Sequence, residues 1–201
     1  MTEHYFSAEP ATAEKQRRIT VELAGAEREV TVASGIFSPD GIDRGTAVLL
    51  REVPKPPAAG EFLDLGCGWG PLALTLALLA PEAQVWAVDV NERALDLLRR
   101  NALGLGLSGV RAGTASSVPD EVRFDLIWSN PPIRIGKAAL HDLLRTWLPR
   151  LREGGTAYLV VAKQLGADSL QRWLAETFPA YAVDRYATEK GFRVLRISPR
   201  E

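Results

Sequence analysis

The segment Phe62-Leu63-Asp64-Leu65-Gly66-Cys67-Gly68-Trp69-Gly70 decides how the rest of the chain is read. Phe62, Leu63 and Leu65, interrupted only by Asp64, have the pattern of a short buried strand. Three alternating glycines follow, and then an apolar run from Pro71 to Ala80 that reads as a helix. Glycine permits a tight turn and lets a ligand approach backbone that a Cβ would shield. A strand, a glycine-rich turn and a helix in succession hold nucleotide-like cofactors at the carboxyl end of a parallel strand.

The spacing narrows the cofactor. A dinucleotide fingerprint G-x-G-x-x-G would place its third glycine at position 71, which is Pro71, and this argues against a nicotinamide-linked dehydrogenase. The pattern is instead G-x-G-x-G, preceded by Asp64. A second acid, Asp89, ends the next apolar stretch, Val85-Trp86-Ala87-Val88, close to the ~20-residue separation at which an acid meets a ribose hydroxyl. Together these residues resemble the first motif and following acid of the class I S-adenosylmethionine-dependent methyltransferases.

Working outward, strands are expected near 62–65, 84–89, 109–112, 124–129, 156–161, 181–187 and 192–198, and helices near 71–80, 91–103, 138–152 and 167–177. Asn91 reads as the cap of the second helix and Gly154-Gly155 as the end of the third. Repeated βα units imply an α/β, doubly wound, mostly parallel seven-stranded sheet of Rossmann-like type. Its last two strands, separated only by Thr188 to Gly191, form an antiparallel hairpin at the edge. Upstream, Arg18–Leu23 and Arg28–Val32 alternate apolar with polar and read as a β-hairpin turning near Gly25. Asp43 is expected to cap a helix over about 44–51, and Pro54-Lys55-Pro56-Pro57 breaks the chain before the core. The expected organisation is an N-terminal extension over 1–58, packed on a methyltransferase domain over 59–201.

Composition sets bounds. At 201 residues, 46% of them hydrophobic, the chain suits one α/β domain with a modest extension. A net charge of −1 gives no global basic signal, so a nucleic-acid partner must be held by a local patch. Cys67 is the sole cysteine, which excludes an intrachain disulfide; with no histidine near it in sequence, it reads as a small residue in a tight loop. Neither histidine has a partner at metal-ligand spacing, and no metal site is expected; His141 reads as a surface or cap residue. No apolar run approaches the ~20 residues needed to span a bilayer, and a cytoplasmic location is the expectation.

The second informative segment is Phe124-Asp125-Leu126-Ile127-Trp128-Ser129, which delivers Asn130-Pro131-Pro132-Ile133 to a strand's carboxyl end. Successive prolines hold an extended turn and cannot donate hydrogen bonds, leaving their carbonyls free to accept. The Asn130 side-chain oxygen and the Pro131 carbonyl can bind the two N–H hydrogens of a conjugated amino group and turn its lone pair toward a methyl donor. A rigid turn with a capping asparagine would look the same in sequence. Placement after the glycine-rich loop favours the catalytic reading.

With both motifs placed, the chain resembles the "small" group of S-adenosylmethionine-dependent methyltransferases, which includes bacterial small-subunit rRNA guanine-N2 methyltransferases. The resemblance spans His4-Tyr5-Phe6-Ser7, Gly35-Ile36-Phe37-Ser38, Asp43-Arg44-Gly45-Thr46, Asp64 through Gly70, and Ser129 through Lys137. It implies S-adenosylmethionine as cofactor, with Gly66 and Gly68 under its methionine part, Asp89 on the ribose and Thr114-Ala115-Ser116 facing the adenine. The implied cofactor set is Asp64, Gly66, Cys67, Gly68, Gly70, Asp89, Val90, Thr114, Ala115 and Asn130; the catalytic set is Asn130, Pro131, Pro132 and Ile133. Relatives often carry an acid or amide where this chain has Thr114-Ala115, and an aromatic residue where it has Ile133. The larger relatives also carry a second, degenerate domain before the catalytic one, so the resemblance is to the single-domain type.

The implied partner is RNA, free or in a ribosomal particle. Arg17, Arg18, Arg134, Lys137, Arg185, Lys190, Arg193 and Arg196 are candidates to neutralise phosphates, or are simply solvated surface charge. Two other functions remain open at this point: methylation of a protein glutamine amide, and a non-catalytic module that binds S-adenosylmethionine and RNA.

Overall fold

The computed structural model describes residues 15–200, so the His4-Tyr5-Phe6-Ser7 patch lies outside the described residues. Strands β1 (Gln16–Leu23) and β2 (Ala26–Ala33) form the antiparallel hairpin, turning through Ala24 and Gly25, both at positive φ (52° and 78°). Helix α1 (Arg44–Glu52) follows, with the Asp43 side chain accepting from the Gly45 and Thr46 amides as its N-cap.

Alternation then begins: β3 (Glu61–Leu65), α2 (Pro71–Leu79), β4 (Gln84–Val88), α3 (Glu92–Gly104), β5 (Val110–Gly113), β6 (Phe124–Ser129), α4 (Lys137–Trp147), β7 (Leu151–Ala162), α5 (Ala167–Thr177), β8 (Tyr181–Glu189) and β9 (Phe192–Pro199). The sheet order is β5-β4-β3-β6-β7-β9-β8, parallel from β5 through β7, with β9 antiparallel to both its neighbours. This is the Rossmann-like methyltransferase arrangement with an antiparallel C-terminal edge and a separate N-terminal hairpin. Chain order reverses between β3 and β6, which opens a crevice at their carboxyl ends.

Alternation along the strands divides the core. Phe62, Val85, Leu126 and Val160 join α1, α2, α3 and the hairpin on one face, while Leu63, Leu65, Ile127 and Leu159 join α4 and α5 on the other. Helix α2 is apolar on every side because it lies between the sheet and the β1–β2 hairpin, and Pro71 through Ala77 are all buried. The hairpin is also held by polar contacts. Asn101 of α3 accepts from the Thr31 amide at 2.7 Å and donates to the Thr31 carbonyl at 3.0 Å, so one side chain does the work of a neighbouring strand.

Two expectations are corrected. Helix α4 stops at Trp147, before Pro149, and Gly154-Gly155 lie inside β7 rather than at a helix end. Gly155 is where β7 slips register against β6: a Cβ there would stand 2.7 Å from the Phe124 carbonyl oxygen, so the close strand crossing requires glycine. His141 is buried, not exposed, with its ring stacked 3.5 Å from that of Trp173. Burial, helped by Lys137 and Arg145, pushes its pKa below the usual histidine value. Among the described residues no helix is long and apolar enough to cross a membrane.

Replacing Asn101 by alanine strands both Thr31 backbone groups and is expected to cost about 1–3 kcal/mol. Denaturant titration should show the loss, and amide exchange should accelerate first at Thr31 and its strand neighbours. Uniform exchange across the molecule would contradict a local role for the clasp.

Candidate functional site

The glycine-rich turn leaves β3 through Gly66 (φ 77°), Gly68 (φ 55°) and Gly70 (φ 95°). These left-handed conformations are what glycine supplies without strain. Val88 at the end of β4 accepts from the amides of both Gly66 and Cys67, at 2.8 and 3.1 Å. Asp89 carries the turn further: its Oδ2 accepts from the Gly68 amide at 2.9 Å and its Oδ1 from the Asn91 amide at 2.9 Å. Ser129 Oγ donates to the Leu65 carbonyl at 2.6 Å, tying the exit of β6 to that of β3.

These exits open into a cavity of about 570 Å³. Of the residues singled out in sequence, Asp64, Gly66, Cys67, Gly68, Asp89, Val90, Ala115, Asn130, Pro131, Pro132 and Ile133 line it. Gly70 and Thr114 do not. Gly70 is the left-handed cap of α2, and a Cβ there would run into the Leu98 side chain, so its glycine serves helix packing. At Gly66 the pressure comes from the site itself: a Cβ would lie 3.4 Å from Pro132 Cδ and occupy the cavity between the two motifs.

The electrostatics of the β3–β4 half favour a cationic ligand. Asp64 is fully buried; its Oδ2 accepts from the Ala73 amide at 2.9 Å, but its Oδ1 has no hydrogen-bond partner among the described residues. Burial, with a smaller contribution from nearby Asp89, pushes its pKa up to about 8 against the opposing Ala73 hydrogen bond. Burial likewise raises Asp89. It raises the Cys67 thiol well above its ordinary value, which suits a loop filler and not a nucleophile. An orphaned buried carboxyl oxygen, exposed turn backbone and a second acid one strand away fit a ligand that brings an ammonium group and a ribose.

The β6 half is polar at one point. Asn130 Nδ2 donates to Asp43 Oδ2 at 2.8 Å and to Thr46 Oγ1 at 3.1 Å. A carboxylate can only accept, so Asp43 fixes which way the amide is turned and leaves Asn130 Oδ1 as the group able to accept. The Pro131 carbonyl already accepts from the Ile133 amide at 2.8 Å and retains one lone pair. Gly45 makes room for this cluster: a Cβ there would approach Asp43 Oδ2 at 3.0 Å, Phe192 Cε1 at 3.1 Å and Asn130 Nδ2 at 3.4 Å.

Several lining residues were not singled out as site residues in sequence. The helix-cap signal located Asp43 but not its hold on Asn130. Phe37, before α1, lies in a segment that the resemblance covers but was given no role there, and Phe192, at the start of β9, carries no local signal; both flank the cavity. Among the candidate phosphate-binding cations, five are ion-paired: Arg17 with Asp40, Arg18 with Glu29, Arg185 and Arg193 with Asp168, and Arg196 with Asp184.

A family model for the methyltransferase small domain matches residues 27–196. The chain is 32% identical over 199 residues to the uncharacterized protein YbxB of Bacillus subtilis, covering 98% of each chain. It is 36% identical over 194 residues to ribosomal RNA small subunit methyltransferase C of Salmonella choleraesuis, covering 91% of this chain and 54% of that one. Among solved structures, the T. thermophilus 16S rRNA N2 methyltransferase in complex with AdoMet and guanosine superposes with a TM-score of 0.79 at 27% identity, covering 96% of this chain and 53% of that one. The chain thus spans about half the length of these rRNA methyltransferases.

The raised Asp64 carries a pH signature. The folded, ligand-free protein keeps a proton that the unfolded chain releases near 3.8, so this contribution to stability is full below that pH and is gone once pH has risen through about 8. The difference is on the order of several kcal/mol. The melting temperature of ligand-free protein should therefore fall between about pH 4 and pH 8, and no further above that, relative to Asp64→Asn. Parallel melting curves for the two proteins would rule the buried proton out.

Proposed function

We propose that this chain, which belongs to the methyltransferase small domain family and uses S-adenosylmethionine as its cofactor, methylates an exocyclic amino group of a nucleobase, guanine N2 of small-subunit rRNA, in the cytoplasm. The observation that carries the reading is Asn130, held by Asp43 and Thr46 so that its Oδ1 is the free acceptor beside the cavity. The rRNA specificity named for the relatives supports the choice of base.

In this reading Asp64 takes the cofactor's ammonium group, Gly66, Cys67 and Gly68 pass beneath its methionine part, Asp89 and Val90 meet the ribose, and Ala115 borders the adenine. When bound, S-adenosylmethionine supplies a methyl group activated by the adjoining sulfonium. The chain's own task is alignment. Asn130 Oδ1 and the remaining lone pair of the Pro131 carbonyl accept the two N–H hydrogens of the target amine. Its lone pair is thereby turned out of conjugation, and the positive charge that develops on nitrogen meets two fixed dipoles. The proton leaves after transfer, so no strong base is required. Ile133 offers the target ring only aliphatic contact. Phe37 and Phe192 supply the aromatic faces that position 133 lacks.

Labelled S-adenosylmethionine offered with undermethylated ribosomal particles, free rRNA and release factor should put label into N2-methylguanosine; label in a protein side chain would replace this reading. Asn130→Ala should lower kcat by about 10²–10³, as loss of one transition-state hydrogen-bonding group does elsewhere. Asp43→Ala should lower kcat by about 10-fold or more while leaving cofactor affinity unchanged, since it frees the Asn130 amide to turn. An Asp43 variant that bound cofactor poorly but turned over normally would place Asp43 in cofactor binding instead.

A further inference from the structure

Besides those used in ion pairs, five exposed cations stand around the β6–β7–β9 half of the carboxyl edge: Arg44, Arg134, Lys137, Lys163 and Lys190. None has an ion-pair partner among the described residues. Arg44 follows Asp43 at the start of α1. Arg134 lines the cavity, and Lys137 follows it as the first residue of α4. Lys163 follows β7 and lies against the β8–β9 turn, where its amide donates to the Gly191 carbonyl at 2.9 Å, next to Lys190. The exposed acids of this edge are already engaged: Asp40 with Arg17, Asp168 with Arg185 and Arg193, and Glu189 with Arg51.

The position of Lys137 is itself informative. Helix α4 has no side-chain cap and no acid in its first turn, yet it opens with a lysine. A cation there opposes the helix dipole. An anion bound in front of it would reverse that sign.

Resting on the proposed RNA reading, we propose that these five cations form a collar that binds the backbone phosphates of single-stranded RNA on either side of an unstacked target nucleotide. The paired arginines of the two hairpins take no part. Charge complementarity argues for the occupant, since these cations have no ion-pair partner among the described residues. The cavity argues for single strand: Asn130 lines it, out of reach of a base still stacked in a duplex. The sheet thus divides by charge, with Asp64 and Asp89 on the β3–β4 side and the collar beyond Asn130.

The test is a salt titration of binding to a single-stranded RNA oligonucleotide containing one guanine, read by fluorescence anisotropy with protein loaded with S-adenosylhomocysteine. The triple variant Arg134→Gln/Lys163→Gln/Lys190→Gln should flatten the slope of log K against log salt by about 2, from roughly 0.7 per lost contact. The control Arg18→Gln/Arg185→Gln should keep the wild-type slope, and calorimetric cofactor affinity should be unchanged in both. Equal slopes for wild type and triple variant, or a flattened slope in the control, overturn the collar. Methyl transfer to guanine alongside equal slopes would discard the collar alone. A flattened slope with label entering only protein would keep the collar and discard the nucleobase reading.

Discussion

The side-by-side pairing of β3 with β6 is the constraint on which the molecule depends. The two strands are parallel and adjacent, yet β3 continues toward β4 on one side and β6 toward β7 on the other. Their exit loops must diverge, and the crevice between them is the site. Ser129 Oγ on the Leu65 carbonyl sets the separation of the two loops, and Gly66 keeps the gap open against Pro132. Because helices cover both faces of the sheet, the strand ends are where polar groups can gather beside a ligand without disrupting the core.

The two sides of the crevice are built on opposite electrostatic principles. On the β3–β4 side a carboxyl is buried in excess of its partners: Asp64 holds an oxygen with no hydrogen-bond partner among the described residues. Such a group is costly until a cationic ligand arrives, so ligand binding and stability are linked through the same proton. On the β6 side the donors are committed within the protein, and Asn130 Oδ1 is left as the acceptor. Asp43 Oδ2 accepts from the amides of Gly45 and Thr46 and from Asn130 Nδ2, so the start of α1 and the orientation of the Asn130 amide are one device. A flexible asparagine would have to be oriented each time a ligand arrived. This one is oriented when the protein folds.

The extension before the core belongs to the same design. The β1–β2 hairpin buries the outer side of α2, whose apolar circumference could not face water, and Asn101 fastens it to α3. That leaves α1 packed against β7 and β9, where its N-terminus brings Asp43 to Asn130. A segment that in sequence looks like an accessory supplies one of the groups that defines the site.

Much of this was legible in the amino-acid order alone. The strand, the glycines and the two acids announced a cofactor loop because those features are local: periodicity, φ requirements and spacing act over a few residues. The Asn130-Pro131-Pro132 turn was legible for the same reason, as were Asp43 and Asn91 as caps. The length of β7 was not, because Gly154-Gly155 mimic a helix stop and only the crossing of β6 requires Gly155 inside a strand. Nor was the burial of His141, which depends on Trp173 from another helix. The hold of Asp43 on Asn130, the arrival of Phe192 beside Gly45, and the sorting of arginines into paired and unpaired also waited on the tertiary structure. Each joins residues far apart in the chain, and a contact between distant segments leaves no periodicity for the sequence to display.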